Sequence, residues 1–170
     1  IEATFSRNAF INNLVMECWH GVWGGYSYET AIKNNVFAYN GESIAIEHGQ
    51  NNAIQRNAFF RDATAINLWM NEKQDPNWGY GKTRDTLSHG YVIDGNRFVN
   101  ITRGGRDDSG TALQIRATSD VKIGENSYSE VARLLDIHGP LKNISWPEIV
   151  VQSTSGNGNS RVLKVGSQKL

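Results

Sequence analysis

The 170-residue sequence predicts an all-β fold, a right-handed parallel β-helix with about five to six coils, from three observations. First, a block recurs in which an apolar residue lies three positions before an asparagine and an aromatic residue lies two positions after it. Second, an apolar-x-apolar block follows most of these asparagines. Third, the smallest interval between successive asparagines is 22 residues. Such a period, with variable excess, is typical of a solenoid whose coils share a core and differ in their loops.

The first block marks one strand and one bend of each coil. Its copies lie at Phe5–Phe10, Ile32–Phe37, Ile54–Phe59, Ile93–Phe98 and Ile123–Tyr128. Their asparagines are Asn8, Asn35, Asn57, Asn96 and Asn126, at intervals of 27, 22, 39 and 30 residues. Asparagine tolerates left-handed backbone geometry, and its amide can pair along a stack of equivalent residues. We therefore expect these asparagines to stack at one bend and to serve a structural purpose.

The second block marks a second strand in each coil. It lies nine residues after the asparagine at Ile44–Ile46, Ile66–Leu68 and Leu135–Ile137, and it is displaced by eight residues at Leu113–Ile115 and by five at Val22–Gly24. Alternation with a period of two is strand spacing, and no long stretch has helical periodicity. The excess predicts a five-residue insertion in coil 1 and longer loops in coils 3 and 4. Residues 1–140 form the coils, and 141–170 are predicted to be an irregular last coil and end cap or an exit to a neighbouring domain.

Composition narrows the classes of partner. The formal net charge is zero, and no basic run or aromatic-basic platform predicts nucleic-acid binding. No apolar run approaches transmembrane length, so no membrane partner is expected. The single cysteine, Cys18, is predicted to be a packed free thiol without zinc-site spacing around it. No cofactor is predicted, although calcium at Asp107–Asp108 or Asp75 stays open without a calcium-loop motif.

The repeated blocks resemble the parallel β-helix repeats of the carbohydrate-binding and sugar-hydrolase domain group. That group includes bacterial polysaccharide lyases, epimerases, glycoside hydrolases and NosD-like periplasmic proteins. The resemblance covers roughly residues 1–140 and implies an extracellular or periplasmic protein with a polysaccharide partner. The Asp-Pro-His-Glu motif of alginate epimerases and the paired-Asp motif of polygalacturonases are absent. Because the chain opens at Ile1, already within a predicted strand region, we also expect flanking domains of a longer chain.

Alignment of the second strands predicts two outward columns of side chains, because the neighbours of an inward pair point outward. The first column contains Trp23, Ala45, Asn67, Gln114 and Asp136. The second contains Gly25, Glu47, Trp69, Arg116 and His138. Aromatic faces stack on sugar rings, and planar polar groups bind hydroxyls and carboxylates. The columns therefore favour a glycan groove. The alternative is an ordinary solvated face.

The coil-3 insertion follows Trp69 and is rich in candidate ligands. Those chosen as substrate-binding residues, besides Trp23, Asn67, Trp69 and Gln114, are Lys73, Trp78, Tyr80, Arg84 and His89. The coil-4 insertion, within Thr102–Gly110, is expected to border the same columns. Long loops on a repeat scaffold tend to line its binding face, so the coil-3 loop is predicted to form a wall or lid. A solvated excursion is the alternative.

The candidate catalytic residues are His138, Arg116, Glu47, His48 and Asp136. Uronate β-elimination needs a base and a cation that neutralises the carboxylate. His138 or His48 would be that base and Arg116 that cation. Glycoside hydrolysis needs two carboxylates about 6.5–9.5 Å apart in inverting enzymes. At about 4.8 Å per coil, Glu47 and Asp136 would lie roughly 14 Å apart. The spacing therefore favours a lyase or epimerase over a hydrolase.

Two further functions stay open at this point. The same face would serve a non-catalytic glycan-binding or adhesive module, with Trp23, Trp69 and Trp78 as stacking platforms. A NosD-like periplasmic metal-handling accessory is the third candidate. Copper prefers clustered His, Met or Cys, whereas the four His, two Met and one Cys of this chain are scattered.

Overall fold

The structure, a computed structural model, describes residues 1–102, 110–154 and 160–170. Within these ranges the chain is all-β, with three sheets, one short 3-10 helix at Tyr80–Lys82 and no α-helix. None of these residues forms a helix that is long and apolar enough to span a membrane. The all-β class predicted from the sequence is confirmed.

The strands, numbered along the chain, enter the three sheets in rotation. In spatial order, sheet 1 contains β1 (Ala9–Ile11), β4 (Ala31–Lys33), β7 (Ala53–Gln55), β10 (His89–Asp94), β13 (Ser119–Ile123), β16 (Lys142–Trp146) and β19 (Gln168–Lys169). Sheet 2 contains β2 (Leu14–Met16), β5 (Val36–Ala38), β8 (Ala58–Phe60), β11 (Arg97–Val99), β14 (Ser127–Ser129), β17 (Ile149–Thr154) and β18 (Ser160–Val165). Sheet 3 contains β3 (His20–Trp23), β6 (Glu42–Glu47), β9 (Thr64–Trp69), β12 (Thr111–Arg116) and β15 (Arg133–His138).

Three consecutive strands, one in each sheet, make a unit, and equivalent strands of successive units pair in parallel. Ile32 is paired with Ile54, and Ile54 with Ile93. Phe37 and Phe59 are paired in the same way. The spacing is 22 residues wherever no loop intervenes. Residues 22 apart are therefore lateral neighbours, as the sequence predicted, and the arrangement is compatible with a β-helix.

The register of the first unit differs from the sequence prediction. Phe10, rather than Phe5, pairs with Ile32, and Val15 pairs with Phe37. The asparagine equivalent to Asn35 is therefore Asn13, and the predicted place of Asn8 in this stack is wrong. Counted from Asn13, the first interval is 22 residues, so the five-residue insertion does not exist. The true copy escaped the pattern because a valine stands at its aromatic position.

Asparagines form a continuous ladder at the corner between sheets 1 and 2. The Oδ1 of each accepts the backbone N–H and the Nδ2 of the preceding one, over 2.8–3.0 Å. Its members are Asn13, Asn35, Asn57, Asn96 and Asn126. Because the ladder satisfies donors that the bend leaves unpaired in the interior, the asparagine is structural. The predicted stacking is confirmed for the last four members.

The other two corners carry shorter ladders of the same kind. Between sheets 3 and 1, the Asn8 amide donates to Thr30 Oγ1 (3.2 Å), and the Thr30 amide donates to Asn52 Oδ1 (2.8 Å). Between sheets 2 and 3, the Asn40 amide donates to Asp62 Oδ1 (2.9 Å). Asp62 is fully buried, and its Oδ2 has no hydrogen-bond partner among the described residues. Burial raises the pKa of Asp62 to about 6, although hydrogen bonds from Asn40 lower it.

Aromatic rings stack through the core from one unit to the next. Phe37, Phe59, Phe98 and Tyr128 have successive ring-centroid distances of 5.2, 4.9 and 5.0 Å and lie within 9° of parallel. These distances match the spacing of paired strands, so the sheets themselves set the stack. Cys18 packs against this core as a free thiol.

The last segment first continues the sheets and then reverses. Strands β16 and β17 pair in parallel with β13 and β14. Strands β18 and β19 then pair antiparallel with β17 and β16. Trp146 Nε1 donates to the carbonyl of Gly166 (3.0 Å), which ties the two reversed strands to the last unit. The parallel spacing therefore reaches beyond residue 140.

Candidate functional site

The outer surface of sheet 3 brings the predicted columns together. In register, Ala45, Asn67, Gln114 and Asp136 are neighbours in one row, and Glu47, Trp69, Arg116 and His138 are neighbours in the other. Trp23 extends the first row through Ala45, and Gly25 follows the end of β3, 22 residues before Glu47. We call these rows, with the side chains that contact them, the sheet-3 face.

A third row, which sequence reasoning missed, borders the first. It contains His20, Glu42, Thr64, Thr111 and Arg133. Asn67 Nδ2 donates to Glu42 Oε1 (2.9 Å), so this row shares the face. It lies three positions before the first column rather than two, which simple alternation does not reveal. The 22-residue separation of His20 and Glu42 was the available signal.

The N-terminal half of the face carries an aromatic pair. The rings of Trp23 and Trp69 have centroids 5.5 Å apart at 58°, and the ring of His20 lies 4.9 Å from Trp23. Ala45 lies between the two tryptophans in the register and is fully buried. Since alanine is small, the two indoles approach over it and form one half-buried aromatic platform.

Two carboxylates fix the platform from either side. Glu47 Oε1 accepts hydrogen bonds from Trp69 Nε1 (3.2 Å) and from Asn71 Nδ2. Glu42 accepts from Asn67, and its Oε2 lies 3.0 Å from His20 Nδ1, an ion-pair separation without hydrogen-bond alignment. The indole N–H of Trp69 is therefore already bonded, which leaves the flat surface of its ring for contact.

The C-terminal half of the face is charged. Asp136 Oδ1 lies 2.8 Å from His138 Nε2, and Asp136 Oδ2 lies 3.3 Å from Arg133 Nη1. Gln114 Nε2 donates to the same Oδ2 at 3.4 Å. Arg116 pairs in register with the exposed His138. Asp136 thus orients His138 through one nitrogen and leaves Nδ1 as the atom that would exchange a proton.

The insertion after Trp69 folds back towards the first two units. There the parallel rings of Phe5 and Tyr26 (4.9 Å) meet Trp78 and Tyr80 edge-on, with Tyr26 5.1 Å from Trp78 and Phe5 4.9 Å from Tyr80. We call these four residues the aromatic cluster. It holds the tip of the loop, residues 70–88, beside the second column of the sheet-3 face. Phe5 and Tyr26 were not among the predicted residues, because their contact depends on where the loop folds.

His48 anchors both ends of this loop. Its buried ring lies 4.6 Å from the ring of Tyr26 and nearly parallel to it. Nδ1 lies 2.6 Å from the carbonyl oxygen of Thr86, and Nε2 accepts the backbone N–H of Asn71 at 3.1 Å. Because both ring nitrogens are engaged, the geometry disfavours the hypothesis of His48 as a base and assigns it to the loop instead.

The loop encloses clefts beside the face. A cleft of about 220 Å³, which we call the loop cleft, is lined by Tyr26, His48, Asn71, Lys73, Gln74, Asp75 and Trp78. A wider one of about 410 Å³ continues from Asn71 and Lys73 to Arg116. The largest described cleft, about 460 Å³, lies instead at the end of sheet 2, between Arg97 and Gln152. It has no aromatic platform on its outer side, so we place the candidate site on the sheet-3 face.

The remaining predicted residues lie apart from the face. His89 begins β10 of sheet 1, where its Nε2 lies 2.6 Å from Asp85 Oδ2 at the base of the loop. Arg84 is exposed on the loop, next to Asp85. Glu47 and Asp136 lie in different rows and three units apart. The three substrate-binding candidates that the loop does bring to the aromatic cluster and its cleft are Lys73, Trp78 and Tyr80.

Metal binding finds no site in the part of the chain that the structure describes. No group of three or more His, Cys, Asp or Glu side chains converges there. The calcium alternative at Asp107–Asp108 and most of the coil-4 loop lie outside the described residues. At Asp75, Oδ1 accepts the backbone N–H of Asn77 at 2.8 Å, as in an ordinary turn.

Comparison with known proteins adds no family. No protein-family model, no curated protein and no solved structure matches this chain.

Proposed function

We propose that this chain is a right-handed parallel β-helix domain of an extracytoplasmic protein and that it binds a polysaccharide along the sheet-3 face. The observation that carries the proposal is the Trp23–Trp69 platform, 5.5 Å between centroids, in line with the amides of Asn67 and Gln114. Tryptophan presents a large apolar surface to the apolar face of a sugar ring, and amides bond hydroxyls at its edge.

The geometry suits an extended chain rather than a compact ligand. Neighbouring units lie about 4.8 Å apart, so side chains in a row recur at intervals comparable to the length of a sugar ring. The aromatic half and the charged half follow one another along the same rows. A polymer lying across the strands would therefore contact the platform first and the Arg116–His138 region one or two units later.

Binding is tested by Trp69→Ala and Trp23→Ala, with affinity measured by titration calorimetry against uronate and neutral oligosaccharides. Loss of one stacked ring is expected to weaken binding about tenfold to a hundredfold, because such contacts contribute about 1–3 kcal/mol. Tyr39→Asn is the control, since it removes an exposed ring that follows β5 of sheet 2. Equal affinity of wild type and both tryptophan variants would refute the assignment of this face.

A second candidate, uronate elimination or epimerisation, is favoured by the Asp136–His138 contact beside Arg116. His138 Nδ1 would take the proton from the carbon next to the carboxylate, and Arg116 would neutralise that carboxylate. In elimination the electron pair left by the proton forms the new double bond as the glycosidic oxygen leaves. His138→Ala and Arg116→Ala should each abolish an ultraviolet-absorbing unsaturated product. Full activity in both variants would exclude this chemistry at this site.

A further inference from the structure

One imidazole connects the two ends of the loop 70–88. The backbone N–H of Asn71, at the start of the loop, donates to His48 Nε2, and the carbonyl of Thr86, near its end, accepts from His48 Nδ1. We propose that His48 in its neutral form is the positioning residue that builds the loop cleft as a sugar subsite, and that acid releases it. The ligand class in this inference rests on the proposed function.

The two contacts require a single protonation state. An acceptor at Nε2 and a donor at Nδ1 are present together only in the neutral ring with its proton on Nδ1. A second proton would place an N–H of His48 against the N–H of Asn71, so that contact would turn from attractive to repulsive. Histidine is the side chain whose ordinary titration falls in the range where such a change occurs.

The groups facing His48 do not compensate a second charge. On one side the Tyr26 ring is stacked on it, and burial keeps the pKa of Tyr26 above its ordinary value, so that ring is neutral. On the loop side Gln74 Nε2, a donor, lies 3.3 Å from Nδ1 and also 3.4 Å from the Thr86 carbonyl. Lys73 and Asp75, of opposite charge, line the cleft. Beyond Thr86, Asp85 is held by His89, and Glu47, next to His48 in sequence, is held by Trp69 and Asn71.

Release of the loop would dismantle the cleft, because most of its lining belongs to the loop. Asn71, Lys73 and Trp78 come from it, whereas Tyr26 and His48 come from the sheets. The cleft has one aromatic wall and amide groups opposite, and its volume of about 220 Å³ suits a single sugar ring. It adjoins the second column of the face through Asn71, whose side chain donates to Glu47. A glycan on the face would therefore place one residue, or a branch, in this cleft.

Hydrogen exchange of the Asn71 amide, measured by NMR on the full chain from pH 7.5 to 4.5 and corrected for intrinsic exchange, tests the positioning directly. In the wild type, protection of this amide should fall as the pH is lowered. In His48→Asn, which keeps a residue tolerant of the left-handed φ of 56° but is too short to reach both partners, exchange should be about tenfold to a hundredfold faster at pH 7.5. His138→Asn is the matched control and should behave as the wild type.

Three results separate this inference from the proposed function. If the Asn71 amide of the wild type keeps its protection down to pH 4.5, or if His48→Asn protects it equally at pH 7.5, the positioning role is overturned. His48→Phe, which keeps the stack on Tyr26 without polar atoms, gives the same test should His48→Asn unfold. Oligosaccharide titration at pH 7.5 should show about tenfold weaker binding in either variant. Unchanged binding would refute the subsite alone, whereas no binding by wild type at any pH would refute the proposed function and leave the loop result standing.

Discussion

The corner between sheets 1 and 2 and the outer face of sheet 3 rest on the same 22-residue spacing, yet they use it in opposite ways. At the corner each unit repeats one residue type, and every asparagine bonds the next. On the face, neighbouring units place different residues in one row: Ala45, Asn67 and Gln114. Stacking inside the molecule demands identity, because each side chain is the partner of its own copy. The outward rows carry no such demand and are therefore where chemistry can vary.

The largest expected difference between the two regions is seen with two asparagines of the same unit. Asn57→Ala removes an Oδ1 that accepts two bonds from Asn35 and an Nδ2 that donates to Ile32 and Asn96. Several polar groups would be left unpaired in the interior, so we expect a loss of about 3–5 kcal/mol in unfolding free energy. Asn67→Ala on the face should cost under about 1 kcal/mol. Chemical denaturation measures both.

Equal losses for Asn57→Ala and Asn67→Ala would contradict the distinction between ladder and face. A loss confined to Asn67→Ala would contradict the ladder itself. Either result would imply that the repeat marks something other than interior hydrogen bonding.

The sequence predicted the ladder and the face to different depths, for reasons visible in single residues. The aromatic position after the asparagine is occupied by phenylalanine or tyrosine in four units, and their register was correct. In the first unit Val15 stands there, and Asn8, which belongs to another corner, supplied a false match. The two outward columns followed from alternation alone.

Other parts of the site lay beyond any sequence pattern. The row of His20 and Glu42 is offset by three residues from the first column, so a period of two passes over it. The place of the loop depends on Trp78 finding Tyr26, a packing event between segments about 50 residues apart in sequence. No spacing rule encodes such a contact. The role of His48 followed only from the positions of Asn71 and Thr86 around it.

A smaller effect, with a definite pH dependence, is expected at the corner between sheets 2 and 3. Asp62 closes a ladder with a buried carboxyl whose pKa is raised from 3.8 to about 6. Its neutral form is favoured in the folded state, so its contribution is most favourable below about pH 4 and declines as the pH rises to about 6. Above that pH, Asp62→Asn should stabilise the fold by about 2–3 kcal/mol. Thermal unfolding at pH 8 and pH 4 should show the gain only at the higher pH.

The repeat explains why an amide would fit at position 62. In this corner Asn40 Nδ2 donates to the carbonyl 25 residues earlier, that of Val15. The same offset would direct an amide at position 62 to the carbonyl of Phe37, while its oxygen keeps accepting from Asn40. Asp75→Asn in the exposed loop is the control and should change stability at neither pH. A pH-independent gain for Asp62→Asn would show that charge burial is not the cause.

The smallest effect is expected where the same spacing reaches the exposed surface. Arg7 Nη1 lies 2.8 Å from Glu29 Oε2, 22 residues away, and both side chains are more than half exposed. Water and salt screen this pair, and ordering two long side chains opposes the attraction. Arg7→Ala should therefore change the unfolding free energy by under about 0.5 kcal/mol, and a double-mutant cycle with Glu29→Ala should give a coupling no larger. A coupling near that of a buried ladder bond would mean that vertical neighbours stabilise this fold by their spacing alone. A negligible one would place the stabilising effect in the buried hydrogen bonds, where the repeated asparagines lie.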